Sequence, residues 1–282
     1  MATTITLDPI TRLEGHLKVQ ATYDSGHVVS AQSSGMMFRG FEKLLVGKDP
    51  RDAAHITQRI CGVCPVCHAM AACLAGEAAI GQNAPDNARI IRNLILGADF
   101  IHSHILHFYH LALLSYIQGP AMPPWTPAWN VDLRFNATET QQFVDHYVQA
   151  LTIRRQAHEM GALFGGHLPH TSAYEFGRVT SLPKADLITR FTNYLNPIIQ
   201  FIDNVYLPDA DRLAQKYSDY YTIGKGYGHL LAFGVFDLNN AGTTKLLARG
   251  RIANSSTTVQ PVDLNAIVEQ VNYSWYDDSS NG

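Results

Sequence analysis

The chain has 282 residues, 46% of them hydrophobic, which is enough to bury a sizeable core as one large domain or as two that share one. A formal charge of −3, with Lys and Arg dispersed and no basic run, argues against nucleic acid or an anionic membrane surface as a partner. Four cysteines in a chain of this length exclude a small disulfide scaffold.

The start, Met1-Ala-Thr-Thr-Ile-Thr-Leu-Asp-Pro9, has no basic segment followed by an apolar stretch, so no signal peptide is expected. Direct membrane insertion is not expected either, because no segment reaches the roughly 20 uninterrupted apolar residues that a span requires. Export bound to a partner that carries the signal stays open.

From Ile5 to about Ser34 the pattern is short and β-like, and a turn at Asp24-Ser-Gly26 reads as a hairpin. Phe41–Val46, the stretch opened by Pro50, and Ala69–Ile80 read as helical. The strongest helix is predicted from about Pro85 to Gln118. Ile91, Leu94, Ile95, Ala98, Ile101, Ile105 and Phe108 recur in it at helical spacing, and Gly119-Pro120 stops it. A second is predicted over roughly Glu139 to Phe164, before Gly165-Gly166. A third covers about Lys184 to Tyr217, where Pro197 and Pro208 are expected to bend or split it. After Tyr227 the chain reads as β-rich and loop-rich, with strands at Leu230–Phe236 and Lys245–Arg251. The closing Ser274-Trp-Tyr-Asp-Asp-Ser-Ser-Asn-Gly282 looks like the middle of a fold.

The expected class is therefore α+β and mainly helical, an N-terminal β-hairpin region followed by a bundle of long helices. Three segments are expected: a β-rich 1–48, a helical bundle 49–222, and a β- and loop-rich 223–282.

All four cysteines fall in the run Arg59-Ile-Cys-Gly-Val-Cys-Pro-Val-Cys-His-Ala-Met-Ala-Ala-Cys73. Thiolates this close make a soft metal site with little loop-closure cost. The letters alone leave several readings open. Cys64-Pro-Val-Cys67-His68 matches a c-type haem attachment pattern, adjacent pairs match a redox dithiol, and the triple repeat matches part of an iron–sulfur cluster. Cys67 and Cys73 read as small buried hydrophobes on a packed helix. His104, His107 and His110, three residues apart, can be drawn as one metal-binding face, although packing within a bundle is the preferred reading.

The string Arg59-Ile-Cys-Gly-Val-Cys64 with His68 beyond it resembles the N-terminal metal-binding signature of nickel–iron hydrogenase large subunits. Other landmarks agree with it: Asp8-Pro-Ile-Thr-Arg-Leu-Glu-Gly-His16, Phe38-Arg-Gly-Phe-Glu42, His104-Ile-Leu-His-Phe-Tyr-His110, Arg154-Arg-Gln-Ala-His-Glu-Met-Gly161 and Phe164-Gly-Gly-His-Leu-Pro-His170. The likeness runs from residue 5 to about residue 237. It implies a nickel ion with Cys61 as terminal ligand and Cys64 as the bridge to an iron that carries carbon monoxide and cyanide. Soft anionic donors suit nickel in changing oxidation states. Two further thiolates would come from a second CxxC-type motif, in a C-terminal half or a second polypeptide.

The resemblance also makes His68 a donor to the bridging sulfur and Glu14 the proton gate. Glu42 becomes a ligand of a Mg²⁺ ion, a hard carboxylate for a hard cation. Arg59 is read as steadying the cofactor or a carboxylate, or as making a plain ion pair. Ser103 stands where many members have an Asp, and a Ser there also occurs in the selenium-containing branch. Iron–sulfur clusters on a separate small subunit would carry the electrons, and co-export with that subunit favours a periplasmic or membrane-associated home over the cytoplasm. The expected function is the N-terminal half of a hydrogenase large subunit, reversibly oxidising H₂; the alternative is a non-catalytic assembly or sensor subunit that keeps the fold.

Overall fold

The computed structural model describes residues 1–128 and 130–268. Alternating side chains build three antiparallel strands at the start: β1 (Thr3–Ile10), β2 (Leu17–Asp24) and β3 (His27–Gly35), in the order β1-β2-β3. The expected hairpin is β2–β3, closed through Ser25-Gly26, and β1 adds a third strand to it. The β1–β2 register shifts between Leu7 and Ile10, and the loop that follows β1 carries Glu14.

Short helices α1 (Phe41–Leu45) and α2 (Ala53–Thr57) lead to α3 (Pro65–Ile80). The sequence reading began α3 at Ala69, four residues late. Pro65 occupies the first turn, where its missing N–H costs nothing, and Cys64 is the N-cap. The next helix, α4 (Asp86–Ile105), buries Ile91, Ile95, Leu96, Ala98 and Ile105. The single helix expected to Gln118 is not regular: past Ile105 the chain makes a π turn, Leu106–Ala112, and a 3₁₀ turn, Leu113–Ser115.

Helix α5 (Ala137–Gly165) starts on a capping box, with Asn136 and Glu139 exchanging 2.9 Å side-chain to backbone bonds. A small hairpin, β4 (Tyr174–Glu175) and β5 (Arg178–Val179), precedes α6 (Ala185–Phe201) and α7 (Leu207–Lys216). The two prolines do not split this run. Pro197 sits inside α6, and a π turn at Ile202–Tyr206 precedes Pro208, where a wider turn relieves the clash of its ring with the carbonyl four residues back.

The late strands are shorter than expected. Leu230–Phe236 resolves into β6 (Leu230–Ala232) and β7 (Val235–Asp237), and Lys245–Arg251 into β8 (Lys245–Leu247) and β9 (Gly250–Ile252). Gly234, at φ 86°, turns the chain between the first two. Strand β6 pairs with β9 and β7 with β8. The reading of Ser274 to Gly282 lies outside the described residues.

The core lies among α3 to α6, where Tyr109, Phe143, Phe164, Ile95 and Ile198 are almost wholly buried. A buried ion pair fastens the β4–β5 hairpin to it: Arg92 Nη2 donates to Glu77 Oε1 at 2.6 Å, and the Gly177 amide donates to the same oxygen at 2.7 Å. Gly76 is required on α3, because a Cβ there would stand 2.3 Å from the Phe176 ring.

The surface is larger than the mass warrants. The chain exposes 17448 Å², against about 12,000 Å² for a compact monomer of its size.

Candidate metal centre

The segment before the cysteines is held from both sides. Gln58, fully buried, donates through Nε2 to Ala54 O and Thr171 O at 3.0 Å each, and the Thr171 hydroxyl donates to Gly165 O at 2.9 Å. The chain just before Cys61 is thereby tied to the end of α5. On the other side the Arg39 guanidinium donates to the carbonyl of Arg59. The Thr57 hydroxyl donates to Ala53 O at 2.8 Å and to His68 O at 3.2 Å, which docks α2 on the first turn of α3.

Between these anchors the backbone curls around one sulfur. The amides of Val63 and Cys64 both donate to Cys61 Sγ at 3.3 Å, and the Cys61 thiol donates to Glu14 Oε1 at 3.3 Å. One sulfur thus accepts from two backbone amides and donates its proton toward a carboxylate. Loss of water around its sulfur, and then the neighbouring Cys61 thiol, push the Cys64 thiol up to about 12. Cys64 thus stays protonated at neutral pH until a cation displaces the proton.

Glu14, Glu42, Arg39, Cys61 and Gly62 line one open cleft of ≈350 Å³. His68 is half-buried, and burial holds its imidazole below the usual range. Its ring makes no hydrogen bond among the described residues. Arg59 is exposed and forms no ion pair among them. The donor set is chemically suited to a soft, redox-active cation: two thiols three residues apart, oriented amides and an adjacent carboxylate. It is incomplete, since no group of three or more His, Cys, Asp or Glu able to hold a metal ion occurs among the described residues.

Of the remaining cysteines, Cys73 is buried as expected, but Cys67 is exposed. The early start of α3 turns Cys67 out of the core. All four thiols are free. His104 and His107 are exposed and His110 is half-buried, with Nε2 3.3 Å from Tyr147 O. The π turn that begins at Leu106 breaks the three-residue register on which a shared histidine face depended.

Sequence reasoning missed a second buried group. His102 Nε2 accepts from Arg154 Nε at 3.1 Å, and its ring stacks on His158 at 3.9 Å. Burial, then His158 and Arg154, lower the His102 pKa to about 3. Asp99, one turn earlier, is also buried, which raises its carboxyl to about 7. Both positions lie on the apolar stripe of α4, and that misplaced polarity is the signal that could have found them.

A model of the nickel-dependent hydrogenases matches residues 39–123 and 120–282, and one described as HoxL-like matches residues 4–34. The chain belongs to the nickel-dependent hydrogenase family. It is 41% identical to the periplasmic [NiFeSe] hydrogenase large subunit of Desulfomicrobium baculatum, over 99% of this chain and 55% of that protein. It is 29% identical to the Hydrogenase-2 large chain of Escherichia coli K12, over 99% and 60%. Its fold matches the Ni-Fe-Se hydrogenase of Desulfovibrio vulgaris Hildenborough in the reduced state with a TM-score of 0.94 and 42% identity, over all of this chain and 58% of that one.

The mainly helical α+β architecture is thus that of a hydrogenase large subunit. The chain spans a little over half the length of the relatives it matches.

Proposed function

We propose that this chain is the N-terminal portion of a nickel–iron hydrogenase large subunit and takes part in H₂ ⇌ 2H⁺ + 2e⁻. The observation that carries the reading is the contact of the Cys61 thiol with Glu14 Oε1 at 3.3 Å, at a sulfur that also accepts from two backbone amides. When bound, the nickel–iron group, with carbon monoxide and cyanide on the iron, supplies the electron-accepting site at which H₂ is split heterolytically.

This chain's residues hold and serve it. Cys61 and Cys64 would hold the nickel–iron group, the first toward nickel and the second toward both metals, with two more thiolates from the C-terminal portion or from a second polypeptide. Glu14 accepts the proton from the Cys61 sulfur and passes it outward, as its position in the open cleft allows. His68, on the first turn of α3, supports the bridging sulfur. Glu42, in the same cleft, binds Mg²⁺, and Arg59 steadies the site from its rim.

Electrons leave through iron–sulfur clusters on a small subunit. A periplasmic site of action follows the naming of the Desulfomicrobium baculatum relative. The three segments 1–48, 49–222 and 223–282 are units of this larger subunit.

Nickel and iron analysis of the intact complex, with infrared spectra for bound carbon monoxide and cyanide, tests the reading. Both metals and the diatomic bands are expected. Metals without those bands would favour the non-catalytic assembly or sensor role.

A further inference from the structure

Glu14 and Cys61 belong to different parts of the fold. Glu14 lies in the loop between β1 and β2, on the sheet side, and Cys61 lies between α2 and α3, on the helical side. Proton transfer between them depends on what fixes one part against the other.

A chain of bonds does this. The Met36 amide, just past β3, donates to His16 O at 2.8 Å, which ties the start of the 36–42 connection to the end of the Glu14 loop. Arg39, further along that connection, crosses to the helical side, where its Nη2 donates to Arg59 O. Arg59 sits in the short 3₁₀ turn Gln58–Ile60, and Cys61 follows that turn in an extended conformation, at φ −143° and ψ 138°. The Cys61 thiol then donates back to Glu14 Oε1 at 3.3 Å. The links close a ring that runs through His16, Met36, Arg39, Arg59 and Cys61 to Glu14. Gln58 Nε2 holds the same turn from the other side, on Thr171 O at 3.0 Å, so the Arg59 carbonyl is a fixed point for the Arg39 guanidinium.

Arg39 is itself aimed. Its guanidinium lies 4.7 Å from the centroid of the Phe41 ring, and Gly40 between them takes the left-handed conformation, at φ 65°, that lets residues 39 and 41 both line the cleft they share with Glu14 and Cys61. A planar guanidinium stacks by its face while it donates from its edge, and an ammonium does not.

We propose that Arg39 is a positioning residue for the proton step: by clamping the Glu14 loop to the Arg59 carbonyl, it sets the distance over which the Cys61 sulfur passes its proton to Glu14. The proposal rests on the proton-gate reading above. In that step the sulfur keeps the electron pair of the S–H bond and the carboxylate becomes a carboxylic acid, so no oxidant is needed. Arg39 acts through the backbone, since the carbonyl it binds lies two residues before the sulfur.

The test sets Arg39→Met, which keeps the length of the side chain and removes its donors, beside Arg39→Lys in the intact complex. Arg39→Met is expected to lower kcat for H₂ oxidation by about 10- to 100-fold, with KM for H₂, nickel content and the infrared bands of carbon monoxide and cyanide unchanged. Arg39→Lys, one donor without the stack, is expected to recover part of the loss. Added to Glu14→Gln, Arg39→Met is expected to cost nothing more, because a residue that acts through Glu14 has no further effect once the base is gone. Amide hydrogen exchange reads the clamp without turnover: the Val63 and Cys64 amides, which donate to the Cys61 sulfur, are expected to exchange several-fold faster in Arg39→Met.

Undiminished turnover, a loss of activity that tracks loss of nickel, or a full further loss on top of Glu14→Gln would overturn the proposal. The two claims fail separately. Unchanged exchange at Val63 and Cys64 in an active, nickel-loaded complex sinks the clamp alone; faster exchange in a complex without nickel or the diatomic bands keeps the clamp and sinks the hydrogenase reading.

Discussion

A single proton position connects Glu14 to the chemistry. Its carboxylate oxygen lies 3.3 Å from Cys61 Sγ, so Glu14→Gln keeps the size and removes the base. In the assembled enzyme this variant is expected to keep its nickel while H₂ oxidation falls by about 10² or more, the usual worth of a positioned acid–base group. Full activity with intact metal would remove Glu14 from the path. A second prediction at this scale concerns pH. His102 and His110 protonate at about 3 and about 4 in the fold against an ordinary 6.5, both lowered chiefly by burial, so the unfolded chain binds more protons between those values. Their contribution is present above 6.5 and is lost as pH falls. Asp99 has the opposite sign: burial raises it from 3.8 to about 7, so its contribution is present below 3.8 and is lost as pH rises toward 7. By themselves these three groups leave a net uptake of about one proton on unfolding between pH 6.5 and 4, a loss of about 1.4 kcal/mol per pH unit on acidification, and His68, His158 and His170, also lowered by burial, act in the same sense. Urea midpoints of the chain should fall on acidification across that range by at least this slope, and Asp99→Asn should steepen it; a flat profile would contradict the assignment. Cys61, Cys64 and Glu14 were singled out through the family strings that hold them; read alone, the cysteine run leaves several chemistries open and Glu14 reads as an ordinary ion-pair carboxylate. His102 and Asp99 left only their misplaced polarity on the apolar stripe of α4 as a signal, and the direction of their titration comes from burial that the packed chain reveals.

At the scale of elements, the site depends on how α3 is held. Glu77 near its C-terminal end pairs with Arg92 on α4 inside the protein, and the same carboxylate takes the Gly177 amide. Truncating one partner leaves the other charge buried and uncompensated. Glu77→Ala is therefore expected to cost about 3–5 kcal/mol in urea denaturation, whereas the double variant Glu77→Leu with Arg92→Met should recover part of that loss. If the single change cost less than about 1 kcal/mol, as for an exposed pair, this pair would not be what fastens the β4–β5 hairpin to α3. The main helices were legible because their apolar residues repeat at helical spacing over many turns. Their irregular ends were not: the π turns at Leu106 and Ile202 depend on i→i+5 hydrogen bonds that leave no mark in composition. The error over Cys67 has the same origin. Beginning α3 at Pro65 instead of Ala69 puts Cys67 in the regular first turns of the helix, facing out.

For the whole molecule, the question is whether this chain can act alone. Four thiolates suit a nickel–iron group, and under the proposed reading this chain supplies two of them, Cys61 and Cys64, while Cys73 is buried in the core and Cys67 is exposed on α3. Helix α3 is held at its start by the Thr57 hydroxyl on His68 O and near its end by the Arg92–Glu77 pair. The fold is therefore present without a closed site. The isolated 282-residue chain is expected to keep its helical circular dichroism, to hold nickel weakly and to show no H₂ uptake in a dye-reduction assay. Adding the portion that brings the missing thiolates, together with the maturation machinery, should restore both tight nickel and turnover. Turnover by the chain alone would mean that two thiolates suffice, and the half-site argument would then fail at its first premise.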